Sequence, residues 1–106
     1  MAEARREVVW SPHARRRLDA AVGYIAAGSP HFALTFLESA LAAGKRLSDF
    51  PLRGRAVPEL RDLTIREIQV GPYRLVYEVT PTNVNVVAFL HGARDFRRAW
   101  KERPRR

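Results

Sequence analysis

The sequence predicts an α+β domain of order β-α-α-β-β-β, in which an N-terminal helical hairpin packs on one face of a small, mostly antiparallel sheet. Three observations carry this expectation. Residues 65–70, 73–79 and the run opening at Val84 are rich in β-branched and aromatic residues and are separated by Gly71-Pro72 and by residues 80–83. That spacing predicts a three-stranded meander. Two stretches of helical periodicity each open on a Ser-Pro pair, Ser11-Pro12 and Ser29-Pro30. Before them, Glu7-Val8-Val9-Trp10 is a short apolar run that reads as a first strand.

Taken in order, Ser11 is placed to cap the free amides of a helix, and Pro12 fits the first turn, where its missing N–H costs nothing. Ala14, Leu18, Ala21, Val22 and Ile25 then recur at three- and four-residue steps. Arg15, Arg16, Arg17 and Asp19 fill much of the opposite side as a solvated surface. Gly28 ends this helix, and the second carries Ala33, Phe36, Leu37, Ala40, Leu41, Gly44 and Leu47 on one stripe, with Phe32 and Phe36 expected in the core. Phe50-Pro51-Leu52-Arg53-Gly54-Arg55 breaks the helix, and Pro58 argues against a central strand in the connector that follows. After the meander, residues 95–100 allow a short helical turn. Residues 1–100 are therefore expected to form one domain, with 101–106 as a basic tail.

The turns fix the facing of the strands. A two-residue loop at Gly71-Pro72 sets Val70 opposite Tyr73, Ile68 opposite Leu75 and Arg66 opposite Tyr77 on one face. Pairing Val79 with Val84 continues that face through Val86, Ala88 and Leu90, and it is the expected core. The second face then carries Glu67, Arg74, Val76, Val87 and Phe89, with His91 at its far end. This mixture of a guanidinium, a carboxylate and apolar side chains reads as an open binding surface; the alternative is a patch covered by a terminal segment.

At 106 residues the chain holds one domain, long enough to bury roughly 60–70% of its unfolded surface. With no cysteine there is no disulfide framework or thiolate site, and His13, His31 and His91 lack ligand-like spacing, so neither metal nor cofactor is expected. No apolar run approaches bilayer length and the first residues are charged, which predicts a cytoplasmic protein without a membrane partner. A net charge of +8 favours an anionic partner.

These residues resemble the RelE/ParE superfamily, the toxin halves of bacterial type II toxin-antitoxin modules. The likeness lies in Trp10-Ser11-Pro12 with Ala14 and Leu18, Tyr24-Ile25, Pro30 with Ala33 and Phe36, and Leu47 with Pro51 and Gly54-Arg55. It continues in Arg66-Glu67, the segment Tyr73-Arg74-Leu75-Val76-Tyr77, and His91 with Arg94. The family includes RelE-like nucleases, which cut mRNA on the ribosome, and ParE-like toxins, which poison DNA gyrase. In a nuclease the resemblance would make Arg74 and Arg94 the phosphate-binding arginines and leave His91 as the proton carrier, since arginine does not readily exchange a proton. Trp100 stands where a tyrosine is expected, and Glu67 and Gln69 replace the lysines of the preceding strand.

The resemblance therefore implies a ParE-like toxin that acts by binding, with a cognate antitoxin and DNA gyrase as partners. Operator DNA would be reached only through the antitoxin. The binding set is expected to be Arg66, Glu67, Arg74, Val76, Val87, Phe89, His91 and Arg94. The amphipathic, acidic antitoxin segment would lie on the open face or across the helical hairpin. The alternatives are a ribosome-dependent endoribonuclease using Arg74, His91 and Arg94, and a weakly toxic or non-toxic antitoxin-binding relative.

Overall fold

A computed structural model describes residues 5–104; the first four residues and Arg105-Arg106 of the expected tail lie outside the described residues. Strand β1 (Glu7–Trp10) leads into helices α1 (Pro12–Gly28) and α2 (Pro30–Arg46). Ser11 caps α1 by accepting from the Ala14 N–H at 3.0 Å. Ser29 serves both helices: its N–H donates to the Ile25 carbonyl at the end of α1, and its Oγ accepts from the Phe32 N–H at the start of α2. One residue thus closes the hairpin tightly. Small residues Ala33, Ala40 and Gly44 form the buried stripe of α2, and a Cβ on Gly44 would come within 3.3 Å of the Trp10 indole nitrogen. A side chain there would have to push the indole aside by a few tenths of an ångström.

The connector contributes a two-residue edge strand, β2 (Arg55–Ala56), before the meander β3 (Ile65–Val70), β4 (Tyr73–Val79) and β5 (Asn83–His91). The sheet order is β1-β5-β4-β3-β2, with β1 parallel to β5 and every other pair antiparallel. Gly71 takes φ +56°, the conformation that the two-residue loop demands and that L side chains rarely adopt. The β3–β4 pairs are those expected: Val70 with Tyr73, Ile68 with Leu75, and Arg66 with Tyr77.

The β4–β5 ladder begins as expected with Val79 opposite Val84 and Tyr77 opposite Val86, then departs. Val87 is left without a partner, and Val76 pairs with Ala88, Leu75 with Phe89, Arg74 with Leu90 and Tyr73 with His91. This is a β-bulge, and one extra residue reverses the facing of all that follow it. Phe89 and His91, expected beside Arg74, turn toward the helical hairpin. Ala88 and Leu90, expected under the hairpin, turn to the second face. The shift places the Phe89 ring 5.1 Å from Tyr73, 6.1 Å from Trp10 and 6.2 Å from Phe36, filling the space between hairpin and sheet.

Two cores result. Leu18, Leu47, Leu75, Tyr77, Val84, Val86 and Phe89 form the one beneath the hairpin. The second, of Val57, Ile65, Val76, Ala88, Leu90 and Phe96, lies on the other face. Helix α3 (Phe96–Glu102) and the connector from Val57 to Leu60 cover it, so that face is not open, and the covering segment is the alternative the residues had allowed. Apolar burial accounts for this: Val76, Ala88 and Leu90 need a lid, and Phe96, Ala99 and Trp100 fall at the helical spacing that supplies one. Phe32, expected in the core, is 66% exposed.

Candidate functional site

Arg74 is the centre of the covered face. Its position on β4 aims it between α3 and the connector, where it is 9% exposed. Nη1 and Nη2 donate to the two carboxylate oxygens of Glu59 at 2.9 and 2.7 Å, and Nε donates to Glu67 Oε1. Two parallel hydrogen bonds from the planar guanidinium fit a carboxylate, which is why arginine suits this position. The guanidinium carbon lies 4.3 Å over the Phe96 ring centre. Hydrogen bonding from Arg74 holds the Glu59 carboxyl below its usual range, and the Glu59 and Glu67 contacts in turn push Arg74 still higher than its ordinary value. Glu67, 4% exposed, also accepts from Arg55 Nε at 2.7 Å.

Around Arg74 the rings continue as a stack. Phe96 lies parallel to Trp100 at 5.6 Å, and the Arg103 guanidinium sits 3.5 Å over Trp100. Helix α3 thus extends two residues into the expected tail, and Arg103 is held against it by this contact and by a bond to the Trp100 carbonyl.

On the hairpin side, Tyr77 is fully buried and its hydroxyl accepts from the Gly54 N–H at 2.8 Å. Burial raises the Tyr77 phenol above its ordinary pKa. A Cβ on Gly54 would meet both Tyr77 Oη and the Glu67 carbonyl oxygen at 2.5 Å, so this crossing requires glycine. Arg66 is partly buried on the same side and donates to the Gly54 carbonyl at 2.9 Å. These groups fix the connector to β3 and β4.

Of the expected binding set, Glu67, Arg74, Val76 and Phe89 are buried, Val87 and Arg66 are partly buried, and His91 and Arg94 are exposed. His91 lies edge-on to Tyr73 at 5.2 Å on the hairpin side, and its Nδ1 accepts from the Ala93 N–H at 3.0 Å. Arg94, in the turn after β5, donates its backbone N–H to the His91 carbonyl at 3.0 Å. The bulge therefore puts His91 on the hairpin face, across the sheet from Arg74, while Arg94 follows in the turn beside Leu90, Phe96 and Trp100. Glu59 was not among the expected residues, although a connector carboxylate facing a sheet with an inward arginine is the natural counter-charge. Among the described residues no cluster of His, Cys, Asp or Glu is placed to hold a metal ion, and no helix is long and apolar enough to cross a membrane.

A helical hairpin on one side of a five-stranded sheet and a short C-terminal helix sealing the other define a small α+β fold. The same architecture occurs in the solved structure titled "Chromosomal ParDE TA system from P. aeruginosa", which superimposes with a TM-score of 0.68 at 17% identity, over 84% of this chain and 98% of that one. The chain belongs to the ParE toxin family: the family model described as "ParE toxin of type II toxin-antitoxin system, parDE" matches residues 8–96. No curated protein matches the sequence.

Proposed function

We propose that this ParE-family toxin arrests growth by binding and poisoning DNA gyrase, and that a cognate antitoxin neutralises it. The observation that carries the choice against RNA cleavage is the state of Arg74. A catalytic phosphate ligand needs an accessible guanidinium, and this one is committed to Glu59 and Glu67 beneath α3. Trp100, stacked between Phe96 and Arg103, supplies no ionisable hydroxyl. Binding rather than proton transfer is what these groups support.

With the second face covered, the antitoxin segment is assigned to the hairpin, which leaves Tyr24, Phe32, Leu34 and Leu41 exposed on a chain of net charge +8. An amphipathic, acidic segment complements both features. His91 and Arg94 are the exposed members of the expected set and Arg66 and Val87 the partly buried ones; Glu67, Arg74 and Val76 would take part only with α3 displaced, and Phe89 is enclosed beneath the hairpin. Operator DNA is contacted through the antitoxin.

Tightly controlled expression, with plasmid supercoiling and RNA ends measured in the same culture, tests this reading. Loss of supercoiling with an induced DNA-damage response and intact mRNA is expected. Codon-biased mRNA breaks with unaltered supercoiling would replace the reading with the nuclease one, for which the exposed pair His91 and Arg94 is the remaining catalytic candidate. Co-purification with the product of the adjacent open reading frame tests the antitoxin, and growth unaffected by either route would mark a non-toxic relative.

A further inference from the structure

Several of the described arginines are held by carboxylates. Arg55 and Arg74 are matched by Glu59 and Glu67. At the junction of α1, the end of β5 and α3, a cavity of about 210 Å³ gathers His13, Arg17, Arg94 and Arg103 at its polar side. The guanidinium groups of Arg17 and Arg94 make no hydrogen bond or ion pair among the described residues. Among the described residues the one carboxylate in the lining, Glu102, is already paired with Arg98 at 3.1 Å. The rest of the wall is apolar: Ala88, Phe89, Leu90, Phe96, Ala99 and Trp100. Arg17 and Arg94, which line a concave, partly apolar site with no paired carboxylate among the described residues, raise the local concentration of anions there.

We propose that this cavity binds a nucleoside phosphate, either free or as one residue of a single strand, with its phosphate between Arg17 and Arg94 and its base against the apolar wall. Arg17 comes from α1 and Arg94 from the turn after β5, so two separate elements each present a guanidinium to a different oxygen of one tetrahedral anion. The ring packs against half-buried Ala99 and the edge of Trp100, whose two faces Phe96 and Arg103 already cover. An acidic peptide would use the cations and leave that wall unfilled. The site needs neither the gyrase reading nor the hairpin surface, and stands or falls apart from them.

His13 reports occupancy. Burial, and then the charges of Arg17, Arg16, Arg103 and Arg94, hold its imidazole below the ordinary 6.5. Arg16 and Arg17 belong to α1, Arg94 follows β5 and Arg103 follows α3, with Glu102 the facing carboxylate. An anion placed among them must raise the His13 pKa, which a distant surface-bound anion would not do.

The test is calorimetric titration of the whole protein with adenosine 5′-monophosphate, adenosine, inorganic phosphate and a short single-stranded oligonucleotide, with His13 followed by NMR. The monophosphate is expected to bind at least about tenfold more tightly than adenosine or phosphate alone, and to raise the His13 pKa. Arg17→Gln and Arg94→Gln, both at exposed positions, should each weaken it about tenfold, with unchanged unfolding midpoints. Lys45→Gln, an equal charge change on the exposed surface of α2, should alter it less than about twofold. An oligonucleotide that binds more tightly than the monophosphate assigns the site to a strand, and the reverse order assigns it to a free nucleotide. Inorganic phosphate binding as well as the monophosphate, Lys45→Gln matching the two arginine variants, or an acidic peptide displacing the nucleotide would each overturn the proposal.

Discussion

Replacing Arg74 with alanine separates a sealed sheet face from an open one. The side chain is 11% exposed, donates to both Glu59 and Glu67, and lies over Phe96. In Arg74→Ala, Glu59 is 28% exposed and rehydrates, so its two hydrogen bonds contribute little to the loss. Glu67 stays buried, and its remaining ion-pair partner is Arg55, itself 67% exposed. One charged hydrogen bond at about 1.5–3 kcal/mol and one cation–π contact at about 0.5–1 kcal/mol give a destabilisation of about 2–4 kcal/mol. Urea unfolding followed by far-UV circular dichroism should show the midpoint falling by roughly 1–2 M. In a double-mutant cycle with Glu67→Ala the two losses should fail to add by about 1.5–3 kcal/mol. A solvent-facing arginine would give under about 0.5 kcal/mol in both measurements, and that result would refute the covered face.

Other perturbations test separate parts of the account. Tyr77→Phe leaves the buried Gly54 N–H without its acceptor and should cost about 1–3 kcal/mol, while Tyr77→Ala adds a void and should cost about 3–5 kcal/mol. Gly54→Ala, which drives a methyl group into Tyr77 Oη and the Glu67 carbonyl, should destabilise by about 1–3 kcal/mol in the same unfolding assay. Phe96→Ala should release α3, so that hydrogen exchange quickens in residues 96–102 while β3 to β5 stay protected; uniform quickening would mean α3 is not a separable lid. His13 has a folded pKa below 6.5, so the unfolded chain binds the extra proton first. Its contribution to stability is intact above pH 6.5 and is lost as pH falls from there through the folded value. Glutamine at position 13 should therefore flatten the slope of urea midpoint against pH below 6.5, and an unchanged slope would assign it to other groups.

The elements that the sequence made legible are those set by local chemistry. Ser11-Pro12 and Ser29-Pro30 announce both helices because capping and proline geometry act within one turn. Gly71-Pro72 fixes the β3–β4 register because so short a loop admits few pairings. The bulge at Val87 carries no such mark: no glycine or proline stands there, and the packing of Phe89 among Trp10, Phe36 and Tyr73 that accompanies it is visible only in the assembled fold. That one residue moved Phe89 and His91 off the expected surface. Helix α3 was more legible than a short turn suggests, since Asp95 caps it and Phe96, Ala99 and Trp100 form an apolar stripe. The partnership of Arg74 with Glu59 was hidden by distance along the chain. So was the meeting of Arg17 with Arg94, because the triplet of residues 15–17 spreads around α1 and only the tertiary fold picks out Arg17 for the cavity.

Purified components decide whether this toxin acts on gyrase by binding. The protein is titrated into a supercoiling reaction containing DNA gyrase and relaxed plasmid, and into a parallel incubation with translating ribosomes and mRNA. Dose-dependent loss of supercoiling with trapped DNA breaks, and intact message, is the expected result. Undisturbed supercoiling beside mRNA cut to cyclic phosphate ends would contradict it.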